Sequence, residues 1–153
     1  VSKDNSINLG KDTYIKILNP PKDTKKGELS LNNSSVVLKL YYKDMEILFS
    51  GDIEKEVENR IIESMPHDIK ADVLKVPHHG SLTSSTQEFL ELVGPKAAVI
   101  SVGKNNYGHP SSDVLDRLAG VGAKIFRTDL NGAVILRSNG KIIRIKVMCK
   151  DES

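Results

Sequence analysis

Two adjacent histidines, His78 and His79, are the residues of this chain whose type and placement most clearly could do chemistry. They follow residues 73–76, an apolar run that predicts a short buried strand ended by Pro77. In open α/β sheets, ligands bind just beyond the carboxyl ends of strands. Neighbouring side chains of an extended chain point to opposite sides, so one ring could bind a metal ion while the other faces a substrate or the core. Ordinary loop histidines beside a turn glycine are the alternative, and these residues alone do not decide.

Asp52 and His109 occupy comparable positions elsewhere in the chain. Asp52 follows the apolar segment 45–49 and precedes a helical pattern, so its carboxylate could either cap the helix or bind a metal ion. His109 follows the apolar segment 97–102. If these strands are neighbours in one sheet, the four groups converge at one edge. Carboxylate and imidazole are ligands for zinc or manganese, but this set is too small for a catalytic site with two metal ions.

The elements that would position these residues follow from apolar periodicity. Segments 36–42 and 45–49 predict a β-hairpin, and residues 14–18 alternate like an earlier strand. A helix is predicted next by apolar residues that recur every four positions: Ile53, Val57, Ile61 and Met65. Ser85 and Glu88 have the spacing of a capping box at the start of a second helix. Val114, Leu115 and Leu118 predict a third helix after His109.

The last third of the chain predicts an antiparallel meander of three short strands. Their segments are 124–127, 133–137 and 142–147. Asn131-Gly132 and Asn139-Gly140 are typical of the tight turns that connect antiparallel strands. Together with the strands and helices before it, this pattern predicts a mixed α/β sheet with helices against it.

The length and composition limit the classes of function that this chain can have. A length of 153 residues fits one domain with a sizeable core. Lys and Arg number 22 against 20 Asp and Glu, so the net charge of +2 gives no strong signal for nucleic-acid or membrane binding. The single cysteine, Cys149, excludes an internal disulfide and a thiolate cluster. No apolar run approaches the roughly 18–20 residues that cross a bilayer, and we expect the chain itself to be soluble.

Four ordered segments resemble the metallo-β-lactamase superfamily, and more narrowly the C-terminal hydrolase domain of ComEC-type DNA-uptake proteins. They are Asn-Asn-Ser-Ser-Val-Val-Leu, Leu-Phe-Ser-Gly-Asp, Ala-Asp-Val-Leu-Lys-Val-Pro-His-His-Gly-Ser and Asn-Asn-Tyr-Gly-His-Pro. The resemblance extends from about residue 32 to residue 137. Each segment alone is a weak signal, whereas four in the same order are a strong one.

The resemblance implies specific metal ligands. Asp52 matches the superfamily's metal-bridging aspartate, and His79 matches the histidine ligand at the end of the following strand. His78 would then lie behind the metal site or face the substrate, although the two histidines could exchange roles. The implied cofactor is a pair of divalent ions, zinc or manganese, in the complete domain, with none or weak binding expected in this chain.

The resemblance also implies substrate-contacting residues. His109 stands where related phosphodiesterases place a group that contacts the phosphate, so we assign it a catalytic role in substrate binding or proton transfer. His78, Ser81 and Tyr107 are assigned to substrate binding.

This chain departs from the superfamily pattern in two ways. The signature His-x-His-x-Asp-His is absent, because no histidine precedes His67. Asn-Asn-Ser-Ser stands where many members have a histidine ligand, as is common in ComEC-like sequences. We therefore expect residues 1–153 to be one domain, the C-terminal half of an αββα sandwich. The missing half is the expected partner, and its absence should leave an apolar sheet face through which the chain self-associates. The alternative is that the C-terminal meander folds back and partly covers this face.

The implied activity of the complete protein is metal-dependent hydrolysis of phosphodiester bonds in DNA during uptake. The chain alone is expected to be inactive, and its parent to be a bacterial integral membrane protein with this domain outside the bilayer. A soluble or secreted phosphoesterase of the same fold, resembling phosphorylcholine esterases, is one alternative. A structural module without catalysis is another.

Overall fold

The computed structural model describes residues 6–25 and 27–148, so Cys149 lies outside the described residues. Its main sheet contains seven strands in the order in which they occur along the chain. They are β1 (Ser6–Gly10), β2 (Thr13–Asn19), β3 (Val37–Tyr42), β4 (Met45–Phe49), β5 (Val73–Lys75), β6 (Ala97–Ile100) and β7 (Lys124–Arg127). A second sheet pairs β8 (Ala133–Ser138) with β9 (Ile143–Met148).

The main sheet is mixed. Strands β1 to β4 run antiparallel to their neighbours, whereas β4 to β7 run parallel. The helices are α1 (Lys55–Ser64), α2 (Gln87–Val93), α3 (Ser112–Gly120) and the short α4 (Thr128–Asn131). Since α1, α2 and α3 connect the parallel strands, the carboxyl ends of β4, β5 and β6 meet at one edge of the sheet, which we call the site edge.

One face of the sheet, the helix face, packs against α1, α2 and α3. Leu48, Leu74 and Ala98 on three neighbouring strands are fully buried in a core that includes Val57 of α1 and Phe89 of α2. Burial of such side chains is the main favourable term in folding, at about 25 cal/mol per Å². The predicted mixed sheet with helices on one face is confirmed.

The opposite face, the hairpin face, carries the alternate residues of the same strands. Met45, Ile47, Val73 and Ala97 form a smaller core, against which residues of β8 and β9 such as Leu136 and Ile145 pack. Side chains alternate between faces along a strand, which explains why adjacent residues belong to different cores. The β8–β9 hairpin therefore partly covers the face that we expected to be bare.

The predicted three-stranded meander is wrong in one respect. Segment 124–127 is β7, which pairs in parallel with β6 in the main sheet, so the antiparallel unit contains β8 and β9 alone. Asn131 is the last residue of the short helix α4 and Gly132 follows it, so this pair does not join two paired strands. The Asn139-Gly140 turn is confirmed, since the Asn139 side chain accepts hydrogen bonds from the backbone N–H groups of Lys141 and Ile142.

Two predicted helix starts also differ. Helix α1 has Glu54 at its N-cap position, so the capping alternative for Asp52 is not realised. Helix α2 is capped by Thr86, whose hydroxyl accepts from the N–H of Phe89, and not by Ser85. Ser85 instead has a left-handed backbone with φ of 57°. Strand β1, which was not predicted, is exposed along its whole length and carries no burial pattern.

None of the helices within residues 6–25 and 27–148 has the length and apolar character needed to span a membrane.

Candidate functional site

The turn after β4 places Asp52 at the site edge. Gly51 has φ of 57°, and a Cβ there would lie 2.6 Å from that of Ser35. The backbone N–H of Asp52 donates to the Ser35 hydroxyl at 3.1 Å, and that of Glu54 donates to the Asn33 side chain at 2.9 Å. The Asn-Asn-Ser-Ser segment thus holds the backbone of the aspartate turn.

The turn Pro77–Gly80 presents both histidines beyond β5. His78 and His79 each have left-handed backbones, with φ of 48° and 54°. Such conformations cost on the order of 1–3 kcal/mol for residues other than glycine and persist only where surrounding structure enforces them. Here the N–H of His78 donates to the carbonyl oxygen of Gly51 at 3.2 Å, which connects the two turns directly.

His79 and Asp52 face each other across the site edge. The His79 Nε2 lies 3.7 Å from the Asp52 Oδ2. The His79 Nδ1 lies 2.6 Å from the backbone oxygen of Ser101, which can only accept a hydrogen bond. The proton of the neutral ring therefore resides on Nδ1, which leaves the Nε2 lone pair towards the aspartate. Histidines that bind metals are held in this way through their second ring nitrogen.

This pair fits two ligands of one divalent ion. Bonds from zinc to imidazole nitrogen and carboxylate oxygen are about 2.0–2.2 Å, so atoms 3.7 Å apart can contact the same ion. A catalytic zinc site has three protein ligands. Within residues 6–25 and 27–148, the structure contains no cluster of three or more His, Cys, Asp or Glu side chains that could hold a metal ion. The described residues fit part of a metal site but not a complete one.

Lys75 provides a cation beside the same carboxylate. Its Nζ lies 4.0 Å from the Asp52 Oδ1, opposite the oxygen that faces His79. Burial lowers the pKa of Lys75, and the nearby Asp52 partly offsets this effect. In its protonated form, Lys75 offsets part of the negative charge of Asp52.

His78 lies in a different hydrogen-bonded environment. Its Nδ1 is 3.4 Å from the Thr83 hydroxyl and 3.8 Å from the Glu54 carboxylate. The Thr83 hydroxyl donates to that carboxylate at 3.0 Å. The His78 ring is thus surrounded on its Nδ1 side by residues from the start of α1 and from the loop before α2.

His109 completes the group at the site edge. Its ring lies 5.7 Å from that of His78 and is stacked on Tyr107 with centroids 6.0 Å apart. Asn105 holds the loop, because its side chain accepts from the His109 N–H at 3.1 Å and donates to the His109 carbonyl at 2.8 Å. Burial, together with the rings of His78 and His79, lowers the pKa of His109.

A cleft of about 440 Å³ opens beside these rings. Its walls include His79, His109, Tyr107, Lys104 and Thr128. Tyr107 is 84% exposed and so offers its ring to solvent at the mouth of this cleft. The cleft therefore combines a cation, an aromatic surface and two imidazole rings.

The structure brings together five of the six predicted site residues, Asp52, His78, His79, Tyr107 and His109, and places the sixth differently. The Ser81 side chain is 5% exposed, and its hydroxyl forms hydrogen bonds with the side chain and the backbone N–H of Thr83. Ser81 thus supports the loop that adjoins His78. The roles assigned to all six residues remain predictions.

Sequence reasoning missed several residues that shape the site. Glu54, Lys75 and Thr83 are not among the predicted site residues, although each contacts one of them. The signal for Glu54 was its place two residues after Asp52, at the start of the helix. Nothing in the sequence distinguishes the backbone oxygen of Ser101.

Comparison with known proteins agrees with the mixed α/β fold described above. The profile of the metallo-β-lactamase superfamily matches residues 22–104. The chain is 41% identical over 133 residues to ComE operon protein 3 of Bacillus subtilis, which covers 86% of this chain and 17% of that protein. It is 38% identical over 104 residues to Competence protein ComA of Neisseria gonorrhoeae, covering 67% of this chain and 15% of that protein.

A third relative is Uncharacterized protein YcaI of Escherichia coli, 37% identical over 87 residues, which are 56% of this chain and 12% of that protein. The chain thus spans less than a fifth of the length of these curated relatives. The resemblance to ComEC-type competence proteins is confirmed for this part of their length. By its matched residues and its mixed sheet, the chain belongs to the metallo-β-lactamase superfamily.

Proposed function

We propose that this chain is part of a metal-dependent phosphodiesterase that cleaves DNA during natural competence. The observation that carries the proposal is the pair Asp52 and His79, with the His79 ring held through Nδ1 so that Nε2 faces the carboxylate 3.7 Å away. Membership of a superfamily that usually binds divalent metals supports it. The names of the relatives in Bacillus and Neisseria support the link to competence.

In this proposal, Asp52 and His79 supply two ligands of a metal site, and zinc or manganese is the expected ion. Such ions supply water activation and neutralisation of phosphate charge in hydrolases. The remaining ligands come from outside the described residues, because these contain no third donor beside the pair. We propose accordingly that residues 1–153 form the C-terminal half of a hydrolase domain whose other half completes the site.

His109, Tyr107 and Lys104 form the proposed DNA-binding side. Lys104 and Tyr107 line the cleft of about 440 Å³ beside His79. A cation can bind the phosphate backbone, and an exposed aromatic ring can stack on a base at about 1–3 kcal/mol. His109 lies at the junction of this cleft with His78, where it can contact the phosphate to be cleaved. Ser81 contributes by holding the loop that bears Thr83.

The proposed parent is a membrane protein that carries this domain outside the bilayer, in keeping with competence proteins much longer than this chain. A non-catalytic module is the second candidate, favoured by the lack of a third metal donor among the described residues. Metal analysis of the longer protein separates the two, since a structural module needs no bound metal.

The test compares variants in a longer protein that contains this chain and the rest of the domain. Asp52→Asn and His79→Asn should each lower both the metal content and the cleavage of labelled DNA severely, because each removes a proposed metal ligand. Asparagine is chosen for His79 because it tolerates the left-handed backbone. His109→Ala should lower turnover while the metal content, measured by elemental analysis, stays nearly unchanged.

His67→Ala is the matched control, since His67 lies in a turn away from the site edge and should leave both measurements unchanged. The chain alone should not cleave DNA or bis(p-nitrophenyl) phosphate above a control with metal and no protein. Full activity of Asp52→Asn in the longer protein would contradict the proposed metal-dependent phosphodiesterase function. Loss of metal from the His109 variant would show that His109 is a ligand.

A further inference from the structure

The carboxylate of Glu54 has an unusual position for a helix N-cap residue. It makes no capping hydrogen bond with its own helix α1. Instead it accepts a hydrogen bond from the Thr83 hydroxyl at 3.0 Å, although Thr83 is 29 residues further along the chain. The same Thr83 oxygen lies 3.4 Å from the Nδ1 of His78. Three side chains, from the start of α1, the turn Pro77–Gly80 and the loop before α2, therefore form a chain of polar contacts that ends on a ring at the site edge.

The hydrogen positions in this chain of contacts follow from simple counting. A hydroxyl carries one hydrogen and two lone pairs. The Thr83 hydrogen is given to Glu54, so the Thr83 oxygen can only accept from His78. Nδ1 of His78 must then carry the ring proton, and the Nε2 of the neutral ring is left with a lone pair. The Glu54 carboxylate, 3.8 Å from Nδ1, is too distant for a hydrogen bond but favours the same arrangement electrostatically.

We propose that Glu54 and Thr83 are positioning residues that hold His78 as a hydrogen-bond acceptor at Nε2. A ring in this tautomer cannot donate to a phosphate oxygen from Nε2. It accepts instead from a hydroxyl group or a water molecule, which refines the general substrate-binding role given to His78 above. This functional part of the inference rests on the proposed hydrolase activity, whereas the tautomer itself does not.

Backbone contacts alone do not require this arrangement. The Thr83 carbonyl already accepts from the N–H of Lys55 at 3.0 Å, which joins the loop to the start of α1. This backbone hydrogen bond would remain after loss of the Thr83 hydroxyl, so the loop would stay attached to α1. His79 offers a comparison, because its Nδ1 is held by the backbone oxygen of Ser101 and needs neither Glu54 nor Thr83.

The tautomer can be measured in the chain labelled with ¹⁵N in its histidine rings, by long-range ¹H–¹⁵N correlation at a pH where the rings are neutral. In the unmodified chain, we expect His78 in the Nδ1–H form. Thr83→Val should move it towards the Nε2–H form, which dominates for free histidine. Thr83→Ser should restore the Nδ1–H form, and Glu54→Gln should have a smaller effect, because the glutamine oxygen can still accept from Thr83.

Glu56→Gln is the matched control, since Glu56 lies on the same helix and contacts Asn33 and not His78. The His79 signal should remain in the Nδ1–H form in every variant and thereby report that the turn is folded. An Nε2–H tautomer of His78 in the unmodified chain would overturn the proposal. An unchanged His78 signal in Thr83→Val, with His79 intact, would overturn it as well.

Turnover in the longer protein tests the functional part separately. Thr83→Val should lower kcat on the order of 10²-fold, the range of proton-handling groups, with metal content unchanged and with recovery in Thr83→Ser. A tautomer change without loss of kcat would overturn the functional part alone. If Asp52→Asn keeps full activity, the proposed hydrolase function fails, while the tautomer result for His78 still stands.

Discussion

On the helix face of the sheet, Leu48, Leu74 and Ala98 are fully buried beneath three helices. On the hairpin face, the part of the chain that the structure describes provides two covering strands, β8 and β9. Phe49 on β4 points to the hairpin side, two residues after Ile47, yet remains 39% exposed. A cavity of about 590 Å³ also lies between the hairpin and the sheet, at the amino ends of the parallel strands. The same strands thus have one closely packed face and one loosely covered face.

The difference explains how the chain holds its candidate site. The two turns that carry Asp52 and His79 connect sheet strands to helices of the closely packed face. The carboxylate of Glu58 on α1 is fully buried there and accepts from the N–H groups of Ser85 and Thr86 at 2.5 and 2.9 Å. The helix face therefore anchors the loop that leads into α2. The hairpin face is where we propose that further protein packs.

Replacing a phenylalanine by alanine on each face should give the largest difference in the free energy of unfolding between the two faces. Phe89→Ala on the helix face removes a fully buried ring and should lower the free energy of unfolding by about 3–5 kcal/mol. Phe126→Ala on the hairpin face removes a partly exposed ring and should lower the free energy of unfolding by roughly 1–2 kcal/mol, because a smaller area of this ring is buried from water. Urea denaturation measures both, and equal losses would contradict the comparison.

A second contrast tests packing at the site edge itself. A Cβ on Gly80 would lie 2.6 Å from that of Pro110, whereas a Cβ on Gly108 would meet nothing within 4 Å. Both glycines have positive φ, so alanine at either position costs about 1–2 kcal/mol in backbone energy. Gly80→Ala should lose about 1–3 kcal/mol more from the clash. Thermal unfolding of the two variants measures this difference. Identical stabilities would show that the backbone around Gly80 shifts to accommodate the added methyl group.

The loosely covered face should also affect association. We expect the chain to self-associate at micromolar concentration through the hairpin face, because Phe49 and its neighbours leave apolar surface in water. Phe49→Ser should weaken association about tenfold, equivalent to roughly 1.4 kcal/mol. Leu92→Ser is the control, since Leu92 on α2 is 38% exposed but lies away from the hairpin face. A monomer by sedimentation that binds no hydrophobic dye would mean that the hairpin covers this face sufficiently.

The smallest effect concerns the buried Glu58. Burial raises the pKa of its carboxyl above the ordinary 4.5, although hydrogen bonds from Thr86 and Ser85 oppose this. The folded chain then favours the protonated form, so this contribution to stability is complete below pH 4.5 and is lost as the pH rises through the raised pKa. Glu58→Gln should remove this part of the pH dependence. Urea denaturation of the unmodified chain and of Glu58→Gln, from below pH 4.5 to neutral pH, measures this difference. The same pH dependence of the free energy of unfolding in both chains would contradict the prediction.

Much of the fold could be predicted because local patterns and packing agree. The spacing of Val57 and Ile61 gave helix α1, and the apolar run before Pro77 gave the strand that leads to the histidines. Convergence of Asp52 and His79 followed from adjacent strands that end at one edge.

Other features depend on contacts that a local pattern does not contain. The sequence of segment 124–127 is compatible with either a parallel or an antiparallel strand. Its pairing with β6 in the main sheet determines the parallel orientation. Thr86 was preferred over Ser85 as the cap because Glu58 binds the N–H of both residues and holds Ser85 in a left-handed turn. The partners of His78 could not be predicted, because Thr83 meets Glu54 across 29 residues.

These separations have a consequence for how the chain folds. Asp52 is held by a residue 17 positions earlier, Glu54 by one 21 positions earlier, and the His79 ring by one 22 positions later. Contacts between residues distant in sequence require loops to close first, which slows their formation. The parallel strands pair across separations that are no shorter, such as Ile47 with Val73 and Val73 with Ala97. The site edge should therefore assemble together with the parallel sheet, after the β3–β4 hairpin. A partly folded chain would have this hairpin but not the geometry that places Asp52 beside His79.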